Sequence, residues 1–360
     1  MSHLSRLRAA LAKKPGIDAL LITSEVNQRW VTGFPFTDGL VVVTAGRAVL
    51  LTDFRYIEAA CASPAAAEFE ILMPAEKMYT AAYGIIRETG ASNIAIEEAT
   101  LPVAAADALR ATFEGCNITE GASLLIDGLR AFKDVEETEK MKKAQAVTDS
   151  AFAHIIEWLD PGRTELEVAL EIEFFMRAHG AESTAFDTIA VSGKASSMPH
   201  GVPRDVKLEK GFLTMDFGAR YDGYCSDMTR TVVIGKADAE MRRLYGTVLR
   251  AQTDVLDVIG PGKGCRKMHM IADRVINDAG YAGYFGHGLG HGVGMYIHEF
   301  PNLSPRAAMA SMLRPGHVVT VEPGIYIGGK YGCRIEDMVL ITEDGAYDFT
   351  QSPKDLIEIG

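Results

Sequence analysis

Four acidic residues stand inside apolar, strand-like segments in the last half of this 360-residue chain. Any fold that buries those segments must deal with the charge. Asp216 ends the run Phe212-Leu-Thr-Met-Asp and precedes Phe217, and Asp227 follows a turn around Tyr221-Asp222-Gly223. Glu322 ends Val318-Val-Thr-Val-Glu, and Glu336 comes after Gly328-Gly329-Lys330-Tyr331-Gly332, next to Ile335. Each pair straddles a glycine-containing turn, so each is expected on a hairpin. Residues equidistant from such a turn face each other with Cβ atoms roughly 4.5–5.5 Å apart. Like charges placed that way repel, and burial neutralises them or destabilises the domain unless a cation lies between. One acid on a strand is usually solvated or ion-paired, but four together in core-strand surroundings are not explained that way. Two divalent cations, enclosed with the help of His291, would answer the problem and turn a bound water into a nucleophile.

At this length two domains are expected. Lys and Arg total 36 against 48 Asp and Glu, a formal charge of −12, which argues against a nucleic-acid partner. The five cysteines (Cys61, Cys116, Cys225, Cys265 and Cys333) have no CxxC spacing and suggest neither a disulfide framework nor a zinc knuckle. The segment Met1-Ser-His-Leu-Ser-Arg-Leu-Arg reads as the start of an amphipathic helix and lacks the apolar stretch of a signal peptide. No run approaches the roughly 18 apolar residues of a membrane span. A cytoplasmic, reducing location without membrane contact is the expectation.

The first third alternates strands (Asp18 to Ser24, Leu40 to Thr44, Ala48 to Thr52, Asn93 to Glu97) with helical patterns (Phe54 to Cys61, Glu76 to Glu88). That alternation predicts an α/β domain over residues 1–125. From Val135 a charged, Ala-rich helix runs to about Leu159, where Pro161-Gly162 stops it. Thr164 and Glu167 then form a capping-box pattern for a second helix ending near His179-Gly180. Strands are expected at Thr188–Ser192, Phe212–Phe217 and Tyr224–Ile234, helices at Ala237–Val258 and Cys265–Ala279, and strands again from His317 to Thr342. The second domain is therefore set at residues 126–360. Two acidic hairpins, each after its own helical stretch, hint at two similar halves.

The segment from Gly286 to Pro301 alternates glycine with histidine but fits GxGxxG in no register. His298-Glu299 opens an HExxH pattern that Asn302 breaks. The glycines read better as letting the backbone approach a crowded site. His291 and His298 are the functional candidates here, and His287 a structural one. His200, in the loop Ser196-Ser-Met-Pro-His-Gly-Val-Pro, has loop surroundings that by themselves say only surface.

These motifs resemble the pitta-bread metallopeptidases, in the prolidase and aminopeptidase P branch, over nearly the whole chain. The segments that carry the resemblance are Ser197-Met-Pro-His, Met215-Asp-Phe-Gly-Ala, Cys225-Ser-Asp-Met-Thr-Arg-Thr, Gly290-His-Gly-Val-Gly, Ile297-His-Glu, Val321-Glu-Pro-Gly-Ile-Tyr and Gly332-Cys-Arg-Ile-Glu-Asp. Weaker signatures, Asn27-Gln-Arg-Trp-Val-Thr-Gly-Phe and Leu51-Thr-Asp-Phe-Arg-Tyr, resemble the creatinase-type N-terminal domain. The resemblance implies an α+β C-terminal domain with a curved, mainly antiparallel sheet backed by helices. It implies a metal set of Asp216, Asp227, His291, Glu322 and Glu336, with Asp227 and Glu336 bridging two ions. Such oxygen-rich ligation suits Mn²⁺ before Zn²⁺ or Co²⁺. It further implies a dinuclear exopeptidase in which a hydroxide bridging the metals attacks the carbonyl before proline. His298 would donate to the oxyanion, Glu322 would shuttle the proton, and His200 would contact the residue after the scissile bond. Thr229 and Arg334 would orient carboxylates. A homodimer is implied too.

One departure matters. Dipeptide-specific members often carry Arg after the HE-x-P run, where this chain has Asn302. That tilts the expectation to an aminopeptidase acting on longer Xaa-Pro peptides, with an Xaa-Pro dipeptidase as the alternative if Arg204 or Arg306 holds the carboxylate instead. A methionine aminopeptidase usually lacks the N-terminal domain. A creatinase-type hydrolase or a non-catalytic binding protein would be expected to lack ligands that this chain keeps.

Overall fold

A computed structural model describes residues 1–360. The chain forms two compact units, Met1–Arg130 and Ala131–Gly360. In the first, six strands form one mixed sheet: β1 (Ala19–Ile22), β2 (Gly39–Thr44), β3 (Ala48–Thr52), β4 (Glu70–Leu72), β5 (Asn93–Ile96) and β6 (Asn117–Thr119), in the order β4-β3-β2-β1-β5-β6. The β1–β2 and β2–β3 pairs are antiparallel and the other three parallel. Leu21, Val42, Val49 and Ile94 pack under helices Met78–Thr89 and Val103–Thr112 through Ala82, Ile86 and Leu109. The segment expected as a helix from Phe54 begins only at Ile57. Helices Val103–Thr112 and Ala122–Arg130 had not been anticipated.

The second unit holds β7 (Ser183–Thr184), β8 (Ile189–Ser192), β9 (Gly211–Phe217), β10 (Ala219–Tyr221), β11 (Tyr224–Cys225), β12 (Met228–Ile234), β13 (Gly290–Gly292), β14 (Glu299–Leu303), β15 (Val318–Val321), β16 (Gly324–Ile327), β17 (Tyr331–Arg334), β18 (Asp337–Ile341), β19 (Ala346–Asp348) and β20 (Glu358–Ile359). Its main sheets run β20-β12-β9-β8 and β14-β13-β15-β18-β19. All pairs in this unit are antiparallel except β12–β20. Helix pairs cover both sheets. Val135–Trp158 and Glu165–Ala178 pack on β9 and β12 through Phe152, Ile155, Val168 and Ile172. Ala239–Leu256 and Cys265–Asp278 do the same for β15 and β18 through Leu244, Val248, Met268 and Ile276. Burying one such aliphatic side chain contributes about 1.5–3 kcal/mol.

Both helices of the first pair start on reciprocal caps. Asp134 accepts from Glu137 N at 3.0 Å while Glu137 accepts from Asp134 N at 2.9 Å. Thr164 and Glu167 repeat the arrangement at 3.1 and 2.8 Å.

Strand alternation brings the site to one face. On β9, Leu213, Met215 and Phe217 enter the core beneath the first helix pair. Phe212, Thr214 and Asp216 therefore point the other way. On β15, Val319 and Val321 are core residues, which turns Thr320 and Glu322 outward.

Candidate metal centre

The register corrects one expectation and keeps another. Asp216 pairs with Thr229 across β9 and β12, not with Asp227. The reason is where the turn centres, between Asp222 and Gly223: the ladders β10–β11 (Arg220 with Cys225) and β9–β12 keep one register from it, although the single strand expected from Tyr224 to Ile234 is two, β11 and β12, separated by Ser226 and Asp227. The turn at Asp222-Gly223 has positive φ at both residues, 44° and 85°, which suits a two-residue hairpin. Counting back from it, Asp227 falls opposite Gly218, a diagonal neighbour of Asp216 on the same face. The second pair is directly opposed. The ladders β15–β18 (Val321 with Asp337) and β16–β17 (Gly324 with Arg334) share one register, and it sets Glu322 against Glu336.

His291 arrives from a third direction, on β13, squeezed between β14 and β15. A Cβ at Gly290 would strike the Thr320 carbonyl, and one at Gly292 the Phe300 carbonyl. The glycines on both sides of His291 are what let the strand fit.

Asp227, His291 and Glu336 have donor atoms within 4.8 Å of one another. His291 Nε2 lies 3.5 Å from both Asp227 Oδ2 and Glu322 Oε1. Its Nδ1 faces the Gly292 carbonyl at 3.1 Å, so Nδ1–H is the donor and Nε2 presents a lone pair to the acids. Arg334 Nη2 donates to Asp216 Oδ2 at 2.6 Å, while Asp216 Oδ1 is buried without any hydrogen bond. Burial, with Asp216 and Glu322 beside it, holds the Asp227 carboxyl well above the usual carboxylate range. Burial, then Asp227, does the same to Glu336. Burial and Asp216 push Glu322 up to about 8 against the opposing pull of Arg334. Burial, with His298 nearby, pulls His291 down to about 4, so the imidazole is neutral and able to ligate. Crowded acids, an orphaned carboxylate oxygen and a free imidazole lone pair are what a divalent cation would satisfy. The residues fit that group.

All five lie in one cleft of about 800 Å³ that also holds His200, His298, Arg334 and Arg306. His298 packs edge-on against His291 at 4.3 Å between ring centres. Burial, then His200, lowers its pKa. Glu299 does not join the site: Lys133 holds it at 3.1 Å.

Support comes from residues behind the acids. Thr229 donates to Glu336 at 2.6 Å and accepts from Arg334 Nε at 3.0 Å. Tyr326, missed in the sequence, stands 2.8 Å from Arg334 Nη1 and 3.0 Å from His287 Nε2. Strand periodicity from Glu322 puts residue 326 on the same face, which is the signal that could have found it. Thr320 Oγ1 accepts from His291 N at 3.1 Å and contacts Glu322 at 3.4 Å.

Known proteins resemble this chain in both of its units. The profile of metallopeptidase family M24 matches residues 139–343, and that of the creatinase/prolidase N-terminal domain residues 3–132. The chain is 37% identical to an Xaa-Pro dipeptidase of Pyrococcus furiosus over 95% of each chain. An Xaa-Pro dipeptidase structure from Bacillus anthracis superposes with a TM-score of 0.94, 39% identity and 99% coverage of both chains. An X-Pro aminopeptidase structure from Thermotoga maritima reaches 0.90 at 32% identity, covering 96% of this chain and 98% of its own.

Proposed function

The chain belongs to metallopeptidase family M24, and from that premise we propose that it is a dinuclear Xaa-Pro dipeptidase. That it is a metallo-exopeptidase follows from the family and its Xaa-Pro relatives. The observation that carries the finer reading is the single cleft in which Asp216, Asp227, His291, Glu322 and Glu336 meet His200 and His298. Four carboxylates offer more oxygen donors than one ion takes, which supports two ions, and their hardness supports Mn²⁺ over Zn²⁺ or Co²⁺. Two relatives named Xaa-Pro dipeptidase, at 37% and 39% identity, support the dipeptidase over the aminopeptidase expected from Asn302.

When bound, the ions would supply a nucleophilic water at neutral pH and polarise the scissile carbonyl. Asp216, Asp227, His291, Glu322 and Glu336 would hold them. The rest is the work of side chains. Glu322 receives the nucleophile's proton at Oε and passes it to the proline nitrogen. That nitrogen has no hydrogen of its own in the substrate and must gain one to leave. Burial and His200 keep His298 neutral, so it donates N–H to the oxyanion, a contribution of about 3–4 kcal/mol for one placed donor. His200 contacts the prolyl residue. Residues 126–360 carry all of this, with residues 1–125 as the N-terminal α/β domain.

A second reading, an aminopeptidase for longer Xaa-Pro peptides, keeps the support of Asn302 and of the Thermotoga maritima structure. We further propose a homodimer, supported by the exposed stripe Leu166, Leu170 and Phe174 on helix Glu165–Ala178. A cytoplasmic location is proposed, supported by five free thiols. No helix is long and apolar enough to cross a membrane.

The test is hydrolysis of an Xaa-Pro dipeptide against an Xaa-Pro-Yaa tripeptide, with Mn²⁺ and with chelator. Cleavage of the dipeptide alone, lost on chelation, is expected. Preference for the tripeptide transfers the assignment to an aminopeptidase, and activity that survives complete chelation removes the metal mechanism.

A further inference from the structure

The acids of the cleft come from two sheets that share no ladder. Asp216 lies on β9 and Asp227 leads into β12, while Glu322 follows β15 and Glu336 precedes β18. Where the sheets meet, the Glu336 N–H donates to the Thr229 carbonyl at 3.1 Å. Arg230 reinforces that junction. Its side chain is only 1% exposed and makes five hydrogen bonds. Nη1 donates to the Glu336 carbonyl at 2.6 Å and to the Thr229 carbonyl at 3.0 Å. Nη2 donates to Asp337 Oδ1 and to the Ser352 carbonyl, both at 2.8 Å, and Nε to the Pro353 carbonyl at 3.0 Å. A guanidinium carries its donors in one fixed plane, and here each has a partner. Asp337, on β18, is fully buried and answers the charge, and its other oxygen meets Lys354 Nζ. Ser352 is tied in turn to Asp149 of helix Val135–Trp158, its hydroxyl donating at 2.6 Å. Thr229 and Arg230 are neighbours on β12 and so point to opposite faces. One grips the Glu336 carboxylate and the other its backbone.

We propose that Arg230 and Asp337 are positioning residues that fix the spacing of the two sheets and thereby hold the two ions as one coupled pair. The inference rests on the two-ion reading. A buried ion pair adds little net stability, because desolvating both charges offsets their attraction; what this one adds is a rigid joint. Asp227, His291 and Glu336 have donor atoms within 4.8 Å of one another and can close on one ion by small side-chain adjustments. A second ion needs Asp216 and Glu322 as well, one from each sheet, so its affinity follows the spacing most closely. Neither Arg230 nor Asp337 lines the cleft, so their effect reaches the substrate only through the ions.

The experiment is Mn²⁺ titration of chelator-stripped protein, followed by calorimetry and electron paramagnetic resonance, for wild type, Arg230→Met/Asp337→Leu and Arg230→Lys. The double variant removes both charges at similar volume and strands neither. Wild type is expected to bind two Mn²⁺ and, when full, to show the broad spectrum of an exchange-coupled pair. The double variant should bind its first Mn²⁺ within about threefold of wild type and its second about 10- to 100-fold more weakly. Resolved hyperfine lines of isolated Mn²⁺ should replace the coupled signal, with the melting temperature in chelator little changed. Arg230→Lys keeps the charge but not the plane of donors and should fall between, and it carries the test alone if the double variant does not fold. A variant that keeps both affinities and the coupled signal would overturn the proposal. So would one that weakens both ions equally, since general loss of structure does that. Wild type that is fully active with a single Mn²⁺ would overturn the two-ion reading itself, and the spacing with it.

Discussion

Thr229 donates its hydroxyl to Glu336 at 2.6 Å across two strands that do not pair with each other, β12 and the approach to β18. The same oxygen accepts from Arg334, which in turn holds Asp216. One hydroxyl therefore links acids from both hairpins. Thr229→Val keeps the shape and removes the donor. Metal affinity, read by calorimetry, should weaken about 10- to 100-fold with the fold's melting temperature little changed. Unaltered affinity would reduce Thr229 to packing.

Asp227→Asn should abolish metal binding and activity together. It also has a signed consequence for stability. Asp227, Glu322 and Glu336 hold protons in the folded state that the unfolded chain has released. In chelator, stability therefore falls as pH rises above the ordinary carboxylate range of about 4 towards 8. At pH 8 with chelator, Asp227→Asn should melt a few degrees above wild type, and the gap should narrow at pH 5. A wild type that melts higher at pH 8 would contradict the repulsion argument.

His298→Ala should retain both ions and lose roughly 10²–10³ in kcat, the usual loss for one oxyanion donor. Metal content by elemental analysis separates the roles. Ions lost with the side chain would make His298 a ligand.

His317 offers a test outside the site. Its ring packs at a tilt against Phe132, 4.6 Å between centres, and its Nδ1 accepts from Arg314 N at 3.2 Å. Burial, with Lys133 and Arg314 nearby, lowers its pKa to about 4. A histidine depressed in the folded state takes up protons only on unfolding, so stability is lost as pH falls from about 6.5 towards 4. Between pH 7 and 5, wild type should lose about 1–2 kcal/mol more in urea titrations than His317→Gln. Equal losses would dismiss the effect.

The acids were legible because an apolar run ending in a carboxylate beside a glycine turn conflicts with itself, and the conflict points to a ligand. Helix 165–178 was legible because its cap is written locally, in Thr164 with Glu167, and helix 135–158 because a charged, Ala-rich run is stopped by Pro161-Gly162. Helix Val103–Thr112 carries no acidic first turn and no side-chain cap, so only its alanine-rich composition marks it. The offset of Asp227 depends on the turn centring between Asp222 and Gly223, which the apolar pattern does not fix. Tyr326 looked like one more aromatic in a strand, because its importance lies in two partners, one of them 39 residues away.

The acids of the metal ring outnumber Arg334, and that imbalance reaches beyond ligation. Emptied, the cleft is an anionic surface, and the proposed dipeptide substrate ends in an anion. Filled with two divalent ions, the same surface changes sign. Metal and dipeptide then bind as thermodynamically coupled ligands, and coupling of this kind is reciprocal. Whatever factor the ions add to the affinity for substrate, the substrate adds to the retention of the ions, so an enzyme at work would hold its metals more firmly than one at rest.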